Sequence, residues 1–153
     1  MSDAVLRIAA RLESLGQIRR FVQEAAMARD AGPTALRHIL LAVDEASTNI
    51  IVHGYRGQDG TIEVAVAREG EKLIIRLRDT AAPFDPTAVP PPDLTVPLEE
   101  RPIGGLGVQL VRQVMDEVSH RVTPEGGNEL TLVRRCADSP KEHTHADQRT
   151  VEE

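Results

Sequence analysis

Apolar residues recur along this chain with two distinct periods. Leu6, Ile8, Ala10 and Leu12 alternate with Arg7, Ala9 and Arg11, a period of two that predicts a half-buried strand. Ser14 and Gln17 then have the spacing of a capping box, and Leu15, Ile18, Val22 and Ala25 follow at helical spacing to about Arg29. Gly32-Pro33 ends that segment, and Pro33 suits the first turn of a second helix running to about His53. On it Leu36, Ile39, Leu40, Val43, Ala46 and Ile50 form one stripe, while Leu41, Ile51 and Val52 are apolar on other faces. A helix apolar almost all round is mostly buried. After a polar turn over 54–60, Ile62, Val64 and Val66 alternate, then Leu73, Ile75 and Leu77, with Glu69-Gly70-Glu71 between them. That is a hairpin whose second strand ends at Asp79.

Residues 80–104 show no period, and seven of the ten prolines lie between Pro83 and Pro102. A loop of this length inside a compact domain is functional or a misassignment. The prolines exclude a hidden helix or central strand, which favours a lid. Gly104-Gly105-Leu106-Gly107 opens a helix carrying Leu110, Val111, Val114 and Met115. Val118, His120 and Val122 alternate next, Gly126-Gly127-Asn128 turns the chain, and Leu130 and Leu132 continue a last strand to about Arg135. This predicts one domain over 1–136, with a lid over 80–104 and a disordered polar tail over 137–153.

Composition narrows the function. Eighteen Lys and Arg against twenty-four Asp and Glu give a net charge of −6 with no basic block, which argues against direct nucleic-acid binding. The single Cys136 rules out an intrachain disulfide and a zinc site of several cysteines. The longest apolar run, Ile39 to Val43, is far too short to span a bilayer, and the first residues lack the apolar core of a secretory signal. The expectation is a cytoplasmic protein with no membrane partner.

Three groups could carry chemistry. Glu45 and Asn49 lie one turn apart on the long helix, away from its main stripe, with Ala42 and His53 on their side. Burying a carboxylate is costly unless it is paired or used, so the pair is either a solvated helix surface or a site. Asp79 ends a strand that feeds a long loop, where it either caps a turn or accepts from an exocyclic amine. The glycines at 104, 105 and 107 expose backbone N–H groups at a helix start and suit either a tight turn or an anion cradle. Their spacing is neither G-x-G-x-x-G nor a P-loop.

Taken in order, AVDEASTNIIVHGY, LRDTAAPFDP and RPIGGLGVQLVRQVMDEV resemble the N, G1 and G2 boxes of the gyrase/histidine-kinase ATPase superfamily. Within it the chain is similar to the anti-sigma-factor serine/threonine kinases, or switch-protein kinases, over roughly 5–135. The Pro-rich PPPDLTVPLEERP segment looks like that family's nucleotide lid. The resemblance implies an α/β (α+β) two-layer sandwich of Bergerat type, with a mixed, mainly antiparallel sheet and helices on one face. It implies ATP and Mg²⁺ as cofactors. Asn49 would ligate Mg²⁺, Glu45 would be the general base, and Asp79 would accept from the adenine amino group. Gly105 and Gly107 would donate backbone N–H to phosphate, while Ala81, Phe84, Gly104 and Leu106 fall in the same boxes and would line the nucleotide. One position departs from the family: the usual glycine two residues after the aspartate is Ala81, which predicts a crowded adenine or a restricted backbone. The implied activity is phosphorylation of a small antagonist protein by a kinase that also binds a sigma factor. The alternative is a non-catalytic nucleotide- or partner-binding module of the same fold. The N-terminal strand, placed at a sheet edge, suggests a homodimer.

Overall fold

The computed structural model describes residues 2–88, 95 and 105–137. Much of the expected lid, residues 89–94 and 96–104, and nearly all of the expected tail, 138–153, lie outside the described residues. Five strands, β1 (Ala4–Ala9), β2 (Thr61–Glu69), β3 (Lys72–Asp79), β4 (Glu117–Val122) and β5 (Asn128–Arg135), accompany three helices, α1 (Leu15–Met27), α2 (Pro33–Thr48) and α3 (Gly105–Val114). The strands form one sheet in the order β1-β2-β3-β5-β4. All four pairings are antiparallel, so the two-layer sandwich with a mainly antiparallel sheet is found without a parallel pair among the described strands.

Strand alternation decides which face meets the helices. Ile62, Val64 and Val66 of β2, Leu73, Ile75 and Leu77 of β3, and Leu130 and Leu132 of β5 are buried in one core. Ile18, Val22 and Ala26 of α1 and Ile39 and Val43 of α2 close it from the other side, all at most 1% exposed. Burying one such aliphatic side chain stabilises by about 1.5–3 kcal/mol, so this layer is the main source of stability in a chain with three aromatics. α1 stops where Asp30 takes φ 63°, a left-handed conformation that continues no helix. α2 begins at Pro33, directly after extended Gly32.

Two local expectations are corrected. β1 ends at Ala9, and Leu12 lies in a 3-10 turn over Leu12–Ser14 with its side chain exposed. Ser14 belongs to that turn and has a helical backbone (φ −80°, ψ −16°) instead of the extended one that a capping side chain needs, and it makes no side-chain cap bond to α1. The capping-box spacing is therefore present without its geometry.

The long second helix also changes character. Beyond Thr48 it continues as a π-helical segment, Asn49–Gly54, in which the Tyr55 N–H reaches back five residues to the Ile50 carbonyl at 2.9 Å. The wider turn shifts the register of everything after Asn49 and is a form enriched at functional sites.

Candidate functional site

A cavity of about 990 Å³ opens between the end of α2, the loop after β3, α3 and the ends of β4 and β5. It is the size of a small-molecule site. Four of the residues singled out in the sequence line it: Asn49, Asp79, Ala81 and Phe84.

Asn49 is the first residue of the π-helical segment, half-buried, and its side-chain amide makes no hydrogen bond with a described residue. Glu45, one turn earlier on α2, is half-buried and is not among the residues lining the cavity. It points toward α3, where a Cβ on Gly107 would come within 2.6 Å of Glu45 Oε2. The missing side chain at Gly107 therefore makes room for the carboxylate. Gly105 and Leu106 open α3, and Gly104 lies outside the described residues.

Asp79 is buried at the end of β3. Its Oδ1 accepts from the Ala81 N–H at 3.0 Å and from Asn128 Nδ2 at 2.9 Å. Burial pushes its carboxyl above the usual value of 3.8, against the opposing hydrogen bonds from Asn128 and Ala81 and the charge of His120. A carboxylate held this way, with one oxygen satisfied by the protein, is poised to accept from a ligand donor.

The Ala81 departure has a structural counterpart. Among non-glycine residues positive φ occurs only at Asp30 and Arg56 within the described chain, so Ala81 does not need glycine's conformational freedom. Its methyl is buried, 3.3 Å from where a Cβ on Gly54 would stand. Gly54 thus leaves the space that Ala81 fills. Phe84 is 53% exposed, and its backbone N–H donates to Asn128 Oδ1 at 2.9 Å.

Several residues of this site were read from the sequence only as turn or strand positions. Asn128 sits directly across from Asp79 in the β3–β5 pairing. His120 Nε2 lies 2.7 Å from Asn128 Oδ1. The Tyr55 hydroxyl donates to the Thr61 carbonyl at 2.7 Å and accepts from the Thr80 N–H at 2.8 Å, pinning the chain just past Asp79 to the end of the π-helical segment. Gly127 allows the β4–β5 turn to lie on β3, since a Cβ there would stand 2.1 Å from the Asp79 carbonyl oxygen. The one signal in the sequence was the Gly126-Gly127-Asn128 run, which marks a turn and says nothing of what the turn touches.

Fold and cavity together define a two-layer α/β domain with a ligand-sized cleft at one end of its sheet. Residues 8–134 match the histidine kinase-like ATPase domain, and the chain belongs to that family. It is similar to the serine/threonine-protein kinase BtrW of Bordetella bronchiseptica, at 32% identity over 111 residues that cover 71% of this chain and 78% of that one. It is similar to the serine-protein kinase RsbW of Bacillus cereus, at 28% identity over 117 residues covering 74% and 73% of the two chains. A solved structure of the RsbU and RsbW domains of a Mycobacterium tuberculosis protein superposes with a TM-score of 0.62 at 18% identity. That match covers 88% of this chain and 32% of the other, so this chain spans about a third of that one and shares the fold of the matched part. Among the described residues no helix is long and apolar enough to cross a membrane.

Proposed function

We propose that this chain is an ATP-dependent protein serine/threonine kinase of the partner-switch type, which phosphorylates a small antagonist protein and binds a sigma factor. The observation that carries the reading is the meeting of Asp79 from β3 and Asn49 from the end of α2 on one cavity, with Glu45 one turn away against the first turn of α3. The kinase names of its relatives support it.

Each residue has a definite task in this reading. Asp79 accepts from the adenine amino group. The backbone N–H groups at Gly105 and Gly107 meet phosphate at a helix N-terminus, where the dipole favours negative charge. The amide oxygen of Asn49 is a hard donor on the cavity with no partner among the described residues, which fits Mg²⁺, and the ion would neutralise charge on the transferring phosphoryl group. Glu45 draws the proton from the attacking serine or threonine hydroxyl. The proposal extends to a cytoplasmic location, where ATP is supplied, and to a homodimer through β1, the outer strand at one edge of the described sheet.

The rival reading, a binding module without phosphoryl transfer, drew on Ala81. The fit of its methyl against Gly54 weakens that ground. Calorimetric titration with ATP, with and without Mg²⁺, tests the proposal. Binding should require Mg²⁺ for full affinity, and Asn49→Ala should remove the Mg²⁺ dependence while the chain melts as before. Equal affinity in the variant and the parent removes Asn49 from the metal site.

A further inference from the structure

Every polar atom of the Asn128 side chain is engaged. Oδ1 accepts from the Phe84 N–H at 2.9 Å and lies 2.7 Å from His120 Nε2. Nδ2 donates to Asp79 Oδ1 at 2.9 Å and lies 3.3 and 3.2 Å from the carbonyls of Ala81 and Ala82. A backbone N–H only donates, so the atom facing Phe84 is the amide oxygen and the amide nitrogen faces Asp79. An amide oxygen only accepts, so His120 presents Nε2–H to it. The His120 side chain is itself buried, with Nδ1 3.9 Å from Asp85 Oδ1.

The consequence falls on Asp79. Its Oδ1 already accepts two hydrogen bonds, from Ala81 and Asn128. Its Oδ2 has no partner among the described residues. It is also not one of the solvent-excluded side-chain atoms left without a partner, which are Arg29 Nε and Ser47 Oγ. Oδ2 is therefore the oxygen that reaches the cavity Asp79 lines. One open oxygen meets a single donor of a planar base edge in line, whereas a second, adjacent donor on that edge reaches the same oxygen only at a bent, weaker angle. The pairing edge of adenine carries one donor group, its amine, next to an acceptor nitrogen. The pairing edge of guanine carries two adjacent donors, N1–H and the 2-amino group, which suit a carboxylate with both oxygens open.

We propose that Asn128, held by His120, determines base specificity: by occupying Asp79 Oδ1 it leaves a reader of one donor and selects adenine over guanine nucleotides. Both are positioning residues that act through Asp79, and the inference rests on the nucleotide-binding reading above. A guanine base in this site leaves its second donor poorly matched and desolvated, which costs binding free energy.

The test is the ratio of GTP to ATP dissociation constants, measured on the full chain by calorimetry with Mg²⁺. The parent should prefer ATP by at least about tenfold. Asn128→Leu keeps the volume and removes the amide, and should lower that ratio about tenfold by opening Oδ1. His120→Leu should lower it in the same direction, while His120→Gln, which can still donate to Asn128 Oδ1, should restore it. A purely structural role weakens both nucleotides together and leaves the ratio unchanged. If Asn128→Leu does not fold, the two His120 variants decide. An unchanged ratio in the folded leucine variants overturns the inference. A parent that binds ATP and GTP alike also overturns it and leaves nucleotide binding standing. A parent that binds neither overturns the proposed function, and this inference with it.

Discussion

Replacing Asp79 by asparagine separates what this residue does for the fold from what it does for a ligand. An asparagine oxygen at the Oδ1 position can still accept from the Ala81 N–H and from Asn128 Nδ2. Its amide nitrogen then stands at the Oδ2 position and presents a donor to the adenine amine, itself a donor. The lost interaction is a hydrogen bond to a charged acceptor, about 1.5–3 kcal/mol, or roughly 10- to 150-fold in dissociation constant. Stability should move the other way. Burial raises the Asp79 carboxyl above 3.8, so the folded chain holds that proton more tightly than the unfolded chain. With more protons bound folded than unfolded, stability falls as pH rises through the raised folded value, and the penalty is absent below 3.8. Asp79→Asn removes the penalty. In the absence of nucleotide the variant should be at least as stable as the parent at pH 7, with any advantage vanishing in acid. Urea unfolding at pH 7 and pH 3.5 reads the stability, and calorimetry with ATP reads the affinity. A variant that binds ATP as well as the parent, or that is much less stable at pH 7, refutes the reasoning.

The glycines and Ala81 supply two more expected outcomes. Gly127→Ala places a Cβ against the Asp79 carbonyl, a backbone atom that cannot swing aside, and should cost about 1–3 kcal/mol in denaturant unfolding together with weaker ATP binding. Unchanged unfolding would mean that the β4–β5 turn does not rest on β3. Ala81→Gly removes a buried methyl beside Gly54 and should cost about 1 kcal/mol while leaving ATP affinity equal or higher. A clear loss of affinity would show that the loop is built around the alanine.

The period of the sequence foretold the sheet and the helices well because β2 and β3 each carry an alternating apolar face and α1 and α2 each an apolar stripe, even where α2 is apolar on other sides as well. The β2–β3 hairpin was legible in Ile62, Val64, Val66, Leu73, Ile75 and Leu77, since a register that buries one strand's apolar face also buries its neighbour's. Asn49, Asp79 and the Gly107 helix start were legible as polar or glycine positions where the pattern gives no reason for them. The contacts of Asn128 and His120 were not. Asn128 meets Asp79 across 49 positions of chain, and which strands become neighbours is decided by packing rather than by local period. The same holds for Gly54 and Ala81, whose complementarity exists only between elements. The π-helical segment escaped because helical periodicity assumes a constant turn, and the shift begins at Asn49 itself.

Phosphoryl transfer from ATP to the serine or threonine of an antagonist protein, compared between the parent chain and Glu45→Gln, tests the kinase account most directly. A general base contributes about 10²–10⁴-fold to rate and need not contribute to ground-state binding. Glutamine keeps the size of Glu45, and so fits the space that Gly107 leaves, while removing the basic carboxylate. The account predicts phosphorylation of the antagonist by the parent, a collapse of that rate by at least about a hundredfold in Glu45→Gln, and nearly equal ATP affinity in both. Undiminished transfer by the variant would show that another residue takes the proton. A parent that binds ATP and its protein partner without phosphorylating it would contradict the kinase claim.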